Sequence, residues 1–312
     1  MKNILLLGAT GFVGQNVADV LKLNSTFNLI ESSRSLGTDL IQYNDVVLLF
    51  KNSKPDYIIN CAAHVGSLNY VTQMAASVML DNSRMLLNIY QALSEVCPTA
   101  IIINPIANCA YPANADTFSE DNWMSGHLHR SVLSYGATKR LLWHIGESFF
   151  MQHQIKSIYL FVPNMYGPKD STDPNKAHAL NALICRFVKA EREEKKEIEL
   201  WGTGIAIREW LYAEDFAKIL ELILTQKVTI GLDEPLNIGQ NFGLSVRELS
   251  NIINQKFNNK FKVTWDHSMP DGAPKKVMDE RRFKKIFPAF EFTSFEIGIQ
   301  ATTNYYKSIY PY

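Results

Sequence analysis

The sequence has no surplus of charge of either sign: Lys+Arg and Asp+Glu both number 31 among 312 residues. A balanced chain has no field to gather a polyanion or an anionic bilayer, so neither a nucleic-acid nor a membrane partner is expected. One local basic pocket would still hold a small anion. Cysteine is scarce. Cys61, Cys97, Cys109 and Cys185 lie far apart and form no Cys-x-x-Cys pair, which argues against a disulfide framework and a zinc site, so no metal is expected. Long apolar runs are missing as well, since no stretch approaches the roughly 20 residues that a membrane span needs. The run Ile4–Leu7 is too short for a secretory signal and ends in Gly8 rather than at a small-residue cleavage site. Low-complexity linkers and internal repeats are absent. A soluble, cytoplasmic protein is expected.

Short apolar runs do alternate with longer amphipathic segments through the first half. Ile4–Leu7, Leu29–Ile30, Tyr57–Ile59, Ala100–Ile103 and Ile158–Val162 read as buried strands, and Val78–Ser94 and Tyr135–Gln152 as helices. That alternation predicts an α/β fold with a doubly wound parallel sheet. The rhythm breaks at the polar, proline-bearing loop after Gly167. Residues 1–169, with a return to the main sheet over about 210–240, therefore read as one domain. Residues 170–209 and 241–312 read as a smaller lobe.

The first strand runs into Gly8-Ala9-Thr10-Gly11-Phe12-Val13-Gly14 and then a helix. Glycines at this spacing permit a tight turn, let backbone approach a pyrophosphate and let helix pack on strand. The pyrophosphate would sit on the helix N-terminus. The second strand ends in Glu31-Ser32-Ser33-Arg34. Small hydroxyls and an arginine suit the 2′-phosphate of NADP, whereas Glu31 would suit the ribose of NAD; the reading favours NADP. Asp39 and Leu40 are candidates for the adenine contact, with a plain turn as the alternative. Further along, Tyr135-Gly136-Ala137-Thr138-Lys139 places a phenol and an ammonium on one helix face. The cation should bring the phenol down from its usual value near ~10 towards working pH.

Beyond these motifs lie Ala62-Ala63-His64-Val65-Gly66, Asn108-Cys109-Ala110-Tyr111-Pro112 and Asn164-Met165-Tyr166-Gly167-Pro168. His178, Arg186, Trp201-Gly202-Thr203-Gly204, Arg208-Glu209-Trp210-Leu211 and Pro270-Asp271-Gly272-x-Pro274-Lys275-Lys276 follow. In this order the chain resembles the extended short-chain dehydrogenase/reductase family, in its GDP-L-fucose synthase branch. The resemblance implies a Rossmann domain with a substrate lobe and NADPH-dependent reduction of the C4 ketone of a GDP-4-keto-6-deoxy sugar, with C3/C5 epimerisation. It implies Tyr135 as proton donor, Lys139 as its activator and a ribose ligand, and Cys109 and His178 as the epimerisation pair. It also implies cofactor contacts at Ala62 and Ala63, and a homodimer through a four-helix interface. Asn164, His178, Arg186, Trp201, Arg208 and Lys276 would hold the GDP-linked keto sugar. Asn82 matches a position near the site and could equally stabilise its helix, while His64 is left beside the site without a role.

One position departs. Where the family carries a catalytic serine, this chain has Ala107. The departure leaves two rivals open: a C4 reductase without epimerisation, and a non-catalytic NADP-binding regulatory protein. A 4,6-dehydratase fares worse, because Asn108-Cys109 is not the acidic pair that reaction uses.

Overall fold

The computed structural model describes residues 1–115, 117–225, 234–269, 271 and 273–312. Its main sheet has six strands. The first four are β1 (Lys2–Leu7), β2 (Phe27–Ser32), β3 (Tyr57–Asn60) and β4 (Ile101–Ala107), and the other two come later in the chain. Helices α1 (Phe12–Leu21), α2 (Tyr43–Ser53), α3 (Leu68–Gln73) and α4 (Ala75–Val96) connect them, followed by α5 (Leu133–His153) and β5 (Lys156–Val162). With β10 (Leu236–Asn237), the order is β10-β5-β4-β3-β1-β2, and every pairing is parallel.

Alternation within one apolar strand explains why both faces are covered. Ile4 and Leu6 of β1 enter a core with α1, whereas Leu5 and Leu7 enter a second core with α2, α4 and α5. A strand buried on both faces has to be apolar throughout, as Ile4-Leu5-Leu6-Leu7 is. The chain leaves β1 for β2 on one side and returns to β3 on the other. The carboxyl ends of β1 and β3 thus flank a switch point, where such sheets hold their ligands.

After β5 come β6 (Asn164–Tyr166), α6 (Ala179–Arg192), β7 (Glu197–Trp201), β8 (Ile207–Arg208) and β9 (Trp210–Tyr212). Then follow α7 (Ala213–Thr225), β10, β11 (Leu244–Ser245), α8 (Val246–Gln255), β12 (Lys262–Asp266), β13 (Lys275–Lys276), α9 (Arg281–Ile286) and α10 (Phe295–Ile309). A third core holds Leu180, Ile184, Phe187, Leu200, Trp210, Leu249 and Tyr306. The stretch read as returning to the main sheet over about 210–240 divides. β9 pairs with β6 outside the main sheet, because Trp210 and Tyr212 are claimed by the third core. α7 packs against the first core, and β10 joins the main sheet beside β5.

Among the described residues no helix is long and apolar enough to cross a membrane, and no group of three or more His, Cys, Asp or Glu could hold a metal ion. Pro270 and Gly272 of the Pro-Asp-Gly run lie outside the described residues.

Candidate active site

The glycine turn closes on the switch point. Gly8 has φ +75°, and a Cβ there would meet Ala62 N at 2.7 Å. A Cβ on Gly14 would lie 2.1 Å from Gly8 O and 2.8 Å from Ala9 Cα. The turn is therefore pinned between β1 and the segment after β3, which carries the half-buried Ala62 and Ala63. No side chain caps the start of α1 at Gly11, and its first turn holds no acid. Unclaimed N–H groups over a cradle with no room for side chains fit a pyrophosphate. Phe12 and Val13 turn their side chains into the first core.

At the end of β2 the hydroxyls of Thr10, Ser33 and Ser35 form a chain, with Thr10 Oγ1–Ser35 Oγ and Ser33 Oγ–Ser35 Oγ both 3.0 Å. Ser35 belongs to this group although its sequence position did not single it out. Arg34 is exposed beside it. Glu31, the residue in favour of NAD, is paired with Lys22 at 2.6 Å. The donor set fits a 2′-phosphate. Leu40 is buried in the second core, and Asp39 Oδ1 accepts the Ile41 N–H at 3.1 Å as a turn residue does.

Tyr135 and Lys139 lie on one face of α5, the Lys139 ammonium 5.4 Å from the Tyr135 ring centroid. Lys139 Nζ donates to the Pro105 carbonyl at 3.1 Å. The turn Asn108–Ala110 packs on α5 at Gly136, where a Cβ would meet Cys109 O at 2.5 Å. Only glycine lets Cys109 come so close to the tyrosine helix. Burial, and then the neighbouring Cys109, pushes the Tyr135 phenol up rather than down. The expected downward shift is thus reversed, because desolvation opposes the phenolate. Lys139 is itself pushed down by burial. Cys109 is raised by burial against the opposing pull of Lys276 and Lys139, so its sulfur stays a thiol near neutrality.

His178 stands just before the first turn of α6, without a side-chain capping bond, and tilts against Phe12, ring centroids 5.2 Å apart. Its Nδ1 lies 3.2 Å from both Asp170 oxygens, and its backbone N–H donates to Asp170 Oδ2 at 2.7 Å. Asn181 adds a further donor to Asp170 at 2.8 Å. Burial pushes the Asp170 carboxyl up, but these bonds and the imidazole outweigh it and hold it below the usual range. With Asp170 ionised, Nδ1 carries the proton and Nε2 is the basic nitrogen. Asp170, buried in the loop, is a residue that sequence reasoning missed.

In the smaller lobe Arg208 and Lys276 are register partners on β8 and β13. Arg186 lies 5.0 Å from the ring of the exposed Trp201. Asp271 joins the two groups: its carboxylate takes the Thr203 N–H and hydroxyl, both at 2.7 Å, and its carbonyl takes Arg208 Nη2 at 3.1 Å. Asn164 Nδ2 reaches the Glu209 carbonyl at 3.5 Å, next to Arg208. Glu209 is fully buried and accepts the backbone N–H groups of Gln240 and Met278, so one carboxyl group ties the link between β8 and β9 to the segments that follow β10 and β13.

A model of the NAD dependent epimerase/dehydratase family matches residues 4–239. A probable GDP-L-fucose synthase 1 of Oryza sativa subsp. japonica is 26% identical over 285 residues, spanning 91% of this chain and 85% of the relative. A GDP-L-colitose synthase of Yersinia pseudotuberculosis is 27% identical over 305 residues, 97% of each protein. The crystal structure of a GDP-L-fucose synthetase from Naegleria fowleri bound to NADP superposes with a TM-score of 0.84 at 24% identity, over 98% of this chain and 94% of that one.

Proposed function

The chain belongs to the NAD dependent epimerase/dehydratase family, and from that premise we propose that it is an NADPH-dependent reductase of the C4 ketone of a GDP-linked 4-keto-6-deoxy sugar, which also epimerises C3 and C5. The observation that carries the reading is the docking of Cys109 on the tyrosine helix at Gly136. It brings the cysteine up to the helix that carries the phenol and the ammonium, close enough for its sulfur to act on both. Relatives named for GDP-L-fucose and GDP-L-colitose synthesis support the substrate class.

NADPH held in the glycine cradle would supply the hydride. The chain supplies the protons and the hold on the sugar. Tyr135, kept neutral by burial, donates its proton to O4 as the ketone becomes an alcohol. Lys139, anchored on Pro105 and lying beside the phenol, would hold the ribose hydroxyls. Protons beside a ketone are acidified by it, so inversion at C3 or C5 needs a base on one side of the ring and an acid on the other. His178, its Nδ1–H fixed by Asp170, is the base, and Cys109, held as a thiol, is the acid. Arg186, Arg208 and Lys276 meet the diphosphate, and the open face of Trp201 meets the base. Residues 1–169 with the return over about 210–240 would hold the cofactor, and 170–209 with 241–312 the nucleotide sugar. The exposed Met79, Leu80 and Leu87 of α4 and Leu133 of α5 fit a homodimer built on these two helices. A monomer in light scattering at micromolar concentration would refute that pairing.

The direct test supplies NADPH or NADH with GDP-, CDP-, UDP- and dTDP-linked 4-keto sugars in heavy water. Oxidation of NADPH with the GDP sugar, and deuterium at C3 or C5 of the product, is the expected result. Tyr135→Phe should abolish reduction, and Cys109→Ser or His178→Asn should remove the label. Reduction with no ring deuterium leaves a C4 reductase alone. No reduction of any sugar leaves a cofactor-binding protein without catalysis.

A further inference from the structure

His64 follows the two cofactor-side alanines and has no part in the steps above, yet each of its polar atoms has a partner. Its N–H donates to Asn82 Oδ1 at 2.9 Å, and its carbonyl accepts from Asn82 Nδ2 at 2.8 Å. Nδ1 lies 2.7 Å from Asp81 Oδ2, and Nε2 lies 2.8 Å from the Tyr70 hydroxyl. With Asp81 ionised, Nδ1 carries the proton, Nε2 accepts, and the Tyr70 hydroxyl donates to it. The tyrosine's proton is thereby committed, and its oxygen is left as an acceptor made richer in charge by the chain behind it.

This group stands between the two catalytic halves. Thr72 Oγ1 donates to the Ser131 carbonyl at 2.9 Å and Ser134 Oγ to the Val71 carbonyl at 3.3 Å, which ties α3 to the turn just before Tyr135. On the other side Ser67 N–H donates to the Asn175 carbonyl at 2.9 Å, in the loop that leads to His178. A Cβ on Gly66 would meet the Tyr70 ring at 2.7 Å and Asn175 O at 2.8 Å. Gly66 therefore sits between the Tyr70 ring and the loop that leads to His178, with no room for a side chain of its own.

We propose that Tyr70 is a further substrate-contacting residue, whose oxygen accepts a hydrogen bond from a ring hydroxyl of the sugar, with His64 and Asp81 as its positioning residues. The proposal rests on the reading of the site as one for a keto sugar. It supplies a polar contact to a ring from which Ala107 has removed one.

The test compares wild type with Tyr70→Phe and His64→Asn, using the keto sugar and analogues lacking the C2 or the C3 hydroxyl. Tyr70→Phe should raise KM about tenfold, the weight of one hydrogen bond, with kcat changed less. NADPH affinity and melting temperature should stay at wild-type values, and His64→Asn should follow in the same direction. For one of the two deoxy analogues wild type and Tyr70→Phe should be equal. Unchanged KM in Tyr70→Phe, or the same penalty with every analogue, overturns the proposal. A wild type that reduces no keto sugar instead removes the functional reading, and this inference with it.

Discussion

The two halves of the site are held together by different means. Around the cofactor cradle the positioning is done by backbone. Gly8 and Gly14 leave no room for side chains, α1 begins without a cap, and the parallel strands on either side are buried and apolar. In the smaller lobe β8, β11 and β13 are only two residues long each. Such short ladders cannot fix a loop, and acidic side chains take over: the buried Asp170 under His178, the half-buried Asp271 under Thr203, and the buried Glu209 under Gln240 and Met278. A site made of backbone is sensitive to volume, and a site made of carboxylates is sensitive to charge.

The largest effect should come from the first kind of change. Gly14→Ala puts a methyl group 2.1 Å from Gly8 O, a backbone atom with no room to retreat. NADPH affinity should fall about 100-fold, near the upper end of what overpacking costs. Fluorescence titration measures it, with circular dichroism as the control for folding. Wild-type affinity would show that the cradle is looser than its geometry. The second kind of change is milder. Asp170→Asn keeps the shape but loses the charge that fixes the His178 tautomer, and should slow ring-proton exchange on the order of tenfold. Deuterium uptake at C3 and C5 reads it. An equal loss of NADPH binding would mean that the carboxylate acts on the fold rather than on the imidazole.

The same contrast decides what was legible in the sequence. The cradle, the doubly wound sheet and the Tyr135–Lys139 pair depend on residues close in the chain, at spacings that carry their own geometry. The hydroxyl of Ser35 and the pairing of Glu31 with Lys22 were nearly legible, being one side chain away from the motif. Asp170 and Glu209 were not, because nothing local says that a particular acid will be buried under a distant amide. Glu209 sits inside a quoted motif, yet its partners Gln240 and Met278 are 31 and 69 residues away. The direction of the Tyr135 shift failed for the same reason. Spacing gives the distance to a cation, whereas burial is set by the whole fold. Trp210 was read as part of the return to the main sheet, and the third core explains why it lies outside it.

The smallest effect sharpens the comparison most. Burial pushes the Glu209 carboxyl from its usual 4.5 up to about 7, although the backbone N–H groups of Gln240 and Met278 oppose the shift. A carboxyl raised on folding favours the folded state while both states are protonated, below about pH 4.5. It loses that advantage as pH rises, because the unfolded chain releases the proton first, until the folded group also ionises near pH 7. At 1.36 kcal/mol per pH unit, roughly 2 kcal/mol of that loss falls between pH 5.5 and 7. For a chain of this size the equivalent is a few degrees of melting temperature. Glu209→Gln removes the titration and keeps the volume, so its own hydrogen-bond cost is independent of pH. Melting curves of the two proteins across pH 5.5 to 8 should therefore separate, with wild type gaining on the variant as the solution is acidified. A gap that stays constant over that range would mean that Glu209 is ionised throughout, its amide donors outweighing its burial, and that the lobe is no more sensitive to charge than the cradle.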